Sequence, residues 1–225
     1  MTPRYFVTAT DTGVGKTEVA CALLSLMADE GLRPAAFKPY ESGCEDLAAP
    51  ADAVALKAAA RTEDDLALIC PHRFRLPLAP GVAARRLRRD PPFNVTLELF
   101  RAFDGRALVV EGAGGLLVPI DRRRDVIDLA VTLGLPVVLV ARAGLGTLNH
   151  TGLSLQALAA RKLRVAAVVL SRSAAGADPS ELDNAALLAE RHRVRVLGPV
   201  PFVAHPPRRR AAFRRALRPL LRGRR

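Results

Sequence analysis

The chain has 225 residues, half of them apolar, which is enough to bury one substantial core and excludes a disordered or fibrous protein. Cys21, Cys44 and Cys70 are scattered and odd in number with no Cys-x-x-Cys pair, so they read as reduced packing residues, and no apolar run nears the roughly 20 residues of a membrane span. The net charge of +12 is carried almost wholly by arginine, with only four lysines; we attribute it to compositional bias and expect a soluble, cytoplasmic protein with no nucleic-acid or membrane partner.

Tyr5 to Thr8 reads as a buried strand, and Lys16 to Glu30 as the helix after it, with apolar residues at helical spacing. The loop Thr8-Ala9-Thr10-Asp11-Thr12-Gly13-Val14-Gly15-Lys16-Thr17 between them ends in Gly-Lys-Thr. In that arrangement backbone N–H groups and a helix N-terminus face phosphate oxygens, the lysine reaches the outer phosphates, and the hydroxyl meets Mg²⁺. The strict pattern asks for glycine where Thr10 stands, and Ala9 beside it lacks glycine's freedom.

A second strand, Arg33 to Phe37, leads into Lys38-Pro39-Tyr40-Glu41-Ser42-Gly43. Lys38 is either a charge for an oxyanion, with Ser42 as a donor beside it, or a surface lysine next to a turn serine. Asp52 opens a helix running to Ala60 and is either its N-cap or a metal ligand. Pro71 to Pro92 is the longest irregular stretch, either a functional loop or a crossover covering the sheet. After a helix over Val95 to Phe103, the strand Ala107 to Val110 ends at Glu111 and Gly112-Ala113-Gly114-Gly115. This places a carboxylate beside open backbone, as for a second magnesium-side acid in phosphate-loop enzymes.

The remaining order is a helix over Asp125 to Leu133, a strand over Val137 to Ala141, and Leu145-Gly146-Thr147-Leu148-Asn149-His150-Thr151 entering a helix that runs from Thr147 to Arg161. Thr147 or Asn149 is the expected cap, and His150 has no visible catalytic partner. Strands at Val165 to Leu170 and Val194 to Leu197 flank a helix over Ser180 to Arg191; His72, His192 and His205 have no ligand spacing. After Pro207 the arginine run is interrupted by Phe213, Leu217, Leu220 and Leu221, which predicts a terminal helix with a solvated basic face. The whole reads as one domain, residues 1–225, of the α/β class: a doubly wound, mainly parallel sheet with helices on both faces, of P-loop NTPase type.

Taken in order, the Thr8 to Thr17 loop, Lys38-Pro39 with Ser42-Gly43, Asp52, Pro77-Leu78-Ala79-Pro80, Val110 to Gly115, Leu145 to His150 and Gly198-Pro199-Val200-Pro201 resemble dethiobiotin synthetase over nearly the whole chain. The resemblance implies an ATP- and Mg²⁺-dependent cyclo-ligase of biotin synthesis acting on 7,8-diaminononanoate and CO₂ or bicarbonate. One amine captures CO₂ as a carbamate, which attacks the γ-phosphate of ATP; the second amine attacks the resulting carbamic-phosphoric anhydride, expels phosphate and closes the ring. By the same resemblance Thr17, Asp52 and Glu111 bind Mg²⁺. Gly13, Val14, Gly15, Lys16, Thr17 and Glu18 wrap the phosphates, with Gly112, Ala113 and Gly114 near them. Ser171, Arg172, Pro201, Phe202 and Val203 lie at the base. Lys16, Lys38 and Thr12 are the catalytic groups, Ser42 faces the carbamate with them, and Leu145, Gly146 and Asn149 receive the substrate carboxylate from the neighbouring subunit of a homodimer.

Ala9 departs from the family's usual glycine, Ser171-Arg172 stand where an Asn often reads the base, and Glu41 adds a negative charge near an anion site. A ParA- or MinD-like switch ATPase acting on DNA or membrane competes with this reading, but Asp11 sits where such proteins carry an additional lysine. A cobyrinate-synthase-type amidotransferase would need a glutaminase domain. A non-catalytic nucleotide binder would not need Lys16, Thr17, Asp52 and Glu111 together.

Overall fold

The runs Tyr5-Phe6-Val7 and Val137-Val138-Leu139-Val140 are buried at every residue, because helices cover both faces of the sheet they build. The computed structural model describes residues 2–222 other than 173 and 177. The first half of the chain forms β1 (Arg4–Ala9), α1 (Lys16–Asp29), β2 (Ala35–Phe37), β3 (Tyr40–Ser42), α2 (Ala51–Ala60), α3 (Leu66–Ile69), β4 (His72–Phe74), α4 (Pro80–Arg86), α5 (Phe93–Arg101) and β5 (Leu108–Gly115). The second half alternates strictly: α6 (Val126–Leu133), β6 (Val137–Arg142), α7 (Thr147–Ala160), β7 (Val165–Ser171), α8 (Glu181–His192), β8 (Val196–Val200) and α9 (Pro206–Arg222).

Among the described residues the long strands form one parallel sheet in the order β2-β5-β1-β6-β7-β8, and β3 pairs with β4 in a separate ribbon. β1 lies between β5 and β6, where the strand order reverses direction, and sheets of this kind bind ligands in the crevice at that carboxyl end. Side-chain alternation along β1 divides the core. Tyr5, Val7 and Ala9 share one layer with Leu23 and Leu24 of α1, Leu56 of α2 and Phe213 and Leu217 of α9, whereas Phe6 shares the other with Val110, Val126 and Leu139. The arginine-rich C-terminal run is the predicted helix. Its apolar stripe, Phe213, Leu217, Leu220 and Leu221, is buried, while Arg208, Arg210, Arg215 and Arg218 stay in solvent.

Two expectations are corrected. β5 does not stop before Glu111 but continues to Gly115, because the side-chain-poor run Gly112-Ala113-Gly114-Gly115 lets β1 stay close, with Ala9 in register with Gly115. The stretch Pro71 to Pro92 is not irregular throughout. It holds β4, paired in parallel with β3, and α4, whose first position is Pro80, where a missing N–H breaks no helical bond. A three-residue strand and a seven-residue helix are too short to show a period. The three cysteines are free and buried, as expected.

The β3–β4 ribbon is fastened to α5. Tyr40 Oη and His72 Nε2 both share hydrogen bonds with Thr96 Oγ1, at 3.1 and 2.8 Å, and the Tyr40 and His72 rings stack with centroids 5.0 Å apart. Burial lowers the His72 pKa from 6.5 to about 4. Between those two values the unfolded chain binds more protons at this residue than the native one, so its contribution to stability is lost as the pH falls from 6.5 towards about 4. His72→Gln should flatten that part of the pH–stability curve relative to the wild type, measured by urea unfolding at successive pH values.

Candidate active site

The loop after β1 is built for an anion. Gly15 occupies the N-cap of α1 with left-handed backbone (φ 101°), and no side chain caps the first turn, which leaves its N–H groups and the positive end of the helix facing outward. Gly13 is left-handed too, at φ 68°. These are the positions at which the loop needs glycine. Ala9 is a fully buried strand residue, and the close approach beside it is granted by Gly115, whose Cβ would lie 3.3 Å from the Ala9 carbonyl oxygen. Asp11 pins the loop. Its Oδ1 accepts the Thr12 N–H at 2.7 Å, its Oδ2 pairs with Arg142 at 3.0 Å, and its carbonyl accepts from Lys16 Nζ at 3.2 Å.

Beside the loop, three elements deliver one charge cluster. Lys38 directly follows β2, Glu111 lies in β5 and Asp52 in the first turn of α2. Lys38 Nζ stands 2.6 Å from Glu111 Oε1 and 2.9 Å from Asp52 Oδ2, and it donates to the Gly112 carbonyl at 3.2 Å. Lys38 and Glu111 are buried, at 3% and 0% exposure, so neither is surface charge. Burial works against the Lys38 ammonium, but Glu111 and Asp52 outweigh it and hold the pKa above the ordinary value. Burial pushes Glu111 up against the pull of Lys38; Asp52, also desolvated, is held down by Lys38. Lys16 is lowered by burial and then by Lys38.

The oxygen atoms here suit a hard cation. Thr17 Oγ1 lies 3.1 Å from Asp52 Oδ1 and 3.0 Å from Glu111 Oε1, yet its single proton can serve only one of them at a time, and Glu111 Oε2 is buried with no hydrogen-bond partner. Among the described residues no group of three or more His, Cys, Asp or Glu side chains is placed to hold a metal by itself. Two carboxylates and a hydroxyl beside the phosphate loop are oxygen donors of the kind that would suit a Mg²⁺ completing its shell with phosphate and water.

These groups open into a cleft of about 410 Å³ lined by Thr12, Gly13, Gly15, Lys16, Thr17, Glu18, Lys38, Tyr40, Glu41, Ser42, Asp52, Glu111, Ala113 and Gly114. A second recess of about 140 Å³ lies on the other side of Gly13, Val14, Gly15 and Glu18, walled by Ser171, Arg172, Pro201, Phe202, Val203, Arg209 and Phe213.

A family described as an AAA domain matches residues 3–206. The chain is 47% identical to the ATP-dependent dethiobiotin synthetase BioD of Anaeromyxobacter dehalogenans, over 92% of this chain and 94% of that one. It belongs to the dethiobiotin synthetase family. A second relative of the same name, from Thermodesulfovibrio yellowstonii, is 39% identical over 88% of each chain. The MinC:MinD complex of Aquifex aeolicus is 12% identical with a TM-score of 0.52, covering 95% of this chain and 86% of that one; this likeness is one of fold.

The structure brings most of the family's expected residues together. Thr12, Lys16, Thr17, Lys38, Ser42, Asp52, Glu111, Ala113 and Gly114 share the main cleft; Gly112 contributes its carbonyl to Lys38; Val14, Ser171, Arg172, Pro201, Phe202 and Val203 share the recess. Leu145, Gly146 and Asn149 line neither, and Leu145 is 82% exposed. The capping readings fall. The N-cap of α2 is Pro50, with Asp52 turned to Thr17 and Lys38; the N-cap of α7 is Gly146, with Thr147 Oγ1 bonded to Thr151 Oγ1. Sequence reasoning missed Tyr40 in the cleft and Arg209 and Phe213 in the recess. The one available signal was Phe213, an aromatic inside an arginine run.

Lys38→Met would leave Glu111 buried without an ammonium beside it, and breaking a buried pair on one side costs about 3–5 kcal/mol. Urea unfolding should show a loss of that order. Lys38→Met combined with Glu111→Gln should recover much of it.

Proposed function

We infer that the protein is an ATP-dependent dethiobiotin synthetase, which joins CO₂ to 7,8-diaminononanoate and closes the ureido ring. The observation that carries this reading is the convergence of two buried lysines, Lys16 and Lys38, on a cleft that also holds the phosphate loop and the Thr17, Asp52 and Glu111 oxygens. A reaction between carbamate and γ-phosphate must hold two anions against each other, and such a site is suited to it. Burial and then the neighbouring Lys38 ammonium lower the Lys16 pKa, so an anion entering beside the two lysines would offset the repulsion between them. Mg²⁺ held by Thr17, Asp52 and Glu111 would neutralise charge on the transferring phosphate.

In this reading the first-turn N–H groups of α1 hold the phosphates, Thr12 and Ser42 turn their hydroxyls to the carbamate, and the recess behind Gly15 takes the base. The carbamate oxygen attacks the γ-phosphorus and ADP leaves. The second amine then attacks the carbamoyl carbon, phosphate departs with the electron pair of the anhydride bond, and the amine proton passes to solvent. The chain acts as a single domain and as a homodimer. Support for the dimer comes from Leu145, Leu148 and Leu153, which stand 82%, 39% and 58% exposed in and just before α7, the segment the family uses across its subunit interface. A cytoplasmic location fits this chemistry, and no described helix is long and apolar enough to cross a membrane.

Incubation with diaminononanoate, bicarbonate, Mg²⁺ and ATP should yield dethiobiotin, ADP and phosphate, read by mass spectrometry. ATP hydrolysis that does not depend on the diamine, with no dethiobiotin formed, would overturn the reading in favour of a switch ATPase. Lys38→Ala, assayed where it remains folded, should lose turnover by about 10²-fold or more while ATP affinity changes little.

A further inference from the structure

Glu41 is a further carboxylate, beside Glu18, Asp52 and Glu111, in a cleft meant for anions, and neither the phosphate nor the carbamate has a use for it. It is 5% exposed, on β3, between Tyr40 and Ser42. Both of its oxygens are engaged: Oε1 accepts the Asp52 N–H at 2.9 Å and Oε2 accepts the Ala53 N–H at 3.0 Å. Those donors belong to the first turn of α2, whose N-cap, Pro50, has no side chain able to cap it. Glu41 supplies from another element the capping acceptor that the local sequence lacks, and its charge lies at the positive end of the helix.

We propose that Glu41 is a positioning residue: by clamping the first turn of α2 it sets the Asp52 carboxylate on Thr17 and Lys38, and so the geometry in which Asp52 meets Mg²⁺. This rests on the reading of Asp52 as a Mg²⁺ ligand.

The clamp has a rigid base. β3 pairs with β4 through Tyr40↔His72 and Ser42↔Phe74, and beyond it the Gly43 and Cys44 N–H groups bond to the Leu76 and Phe74 carbonyls at 3.1 and 3.0 Å. Ser42, on the carbamate side of the cleft, and the backbone that carries Asp52, on the metal side, are thereby tied to one short strand. Residue 41 needs two acceptor oxygens at once. Glutamine offers one oxygen and one NH₂, and the NH₂ would confront a backbone donor.

The test compares Glu41→Gln, Asp52→Asn and the double variant by titrating Mg²⁺ into protein with ATP and following nucleotide binding by calorimetry, alongside ATP affinity without Mg²⁺ and thermal unfolding. Glu41→Gln should raise the half-saturating Mg²⁺ concentration by about tenfold, as for the loss of one charge-assisted hydrogen bond, with Mg²⁺-free ATP affinity unchanged. Asp52→Asn should raise it too, and Glu41→Gln should add nothing in the Asp52→Asn background. An equal added effect in that background, or a drop in thermal stability with the Mg²⁺ dependence unmoved, would overturn the positioning role. If Asp52→Asn itself leaves the Mg²⁺ dependence alone, the ligand reading of Asp52 is what has failed, and the positioning role falls with it.

Discussion

One ammonium shared by two carboxylates constrains the rest of the molecule. Glu111 is fully buried, and an isolated buried carboxylate is strongly unfavourable unless it is paired or takes up a proton. Its partner Lys38 arrives through sheet register. Phe37 is paired with Val110, and one residue further along each strand come Lys38 and Glu111. The strand order that places β2 beside β5 is therefore also what neutralises the site. α2 must bring Asp52 to the same ammonium, and β1 must run close enough to β5 for the phosphate loop to open over all three. Fold and site answer a single electrostatic demand.

The same demand explains what could be read from the chain and what could not. Strands such as Val137 to Ala141 and the loop ending in Gly15-Lys16-Thr17 carry their own local signatures, β-branched runs and fixed spacing, and the structure agrees with them. Lys38 has no such signature. Whether it is a surface lysine or a buried one depends on β5 lying beside it, and β5 is seventy residues away. Asp52 read locally as a cap because it sits at the start of a helix. The cap position belongs to Pro50, the turn is held by Glu41, and the aspartate side chain is free for Thr17 and Lys38. In each case a non-local contact, absent from the local sequence, decided the reading: Lys38 is buried rather than exposed, and Asp52 is not the cap.

The basic C-terminus gives the clearest separation of composition from role. Counted as charge it suggests a polyanion surface, yet part of that charge is consumed inside the fold. Arg209 pairs with Glu18 at 2.9 Å, and Arg214 bonds both Ser25 and Asp29, so the tail is bolted to α1 through its arginines as well as through Phe213 and Leu217.

That attachment also shapes the recess behind the phosphate loop. Phe213 stands 3.5 Å from where a Gly15 Cβ would lie, so α9 packs against the N-cap of α1, while the left-handed backbone there, φ 101°, is what favours glycine. Of the two guanidinium groups lining the recess, Arg209 is committed to Glu18 and Arg172 to Glu181 at 2.5 Å. Their positive charges are neutralised locally, which leaves the Ser171 hydroxyl among apolar walls formed by Pro201, Phe202, Val203 and Phe213. In the proposed nucleotide site, such a recess beside the charged cleft would divide the ligand, with stacking and dispersion on one side of Gly15 and charge on the other.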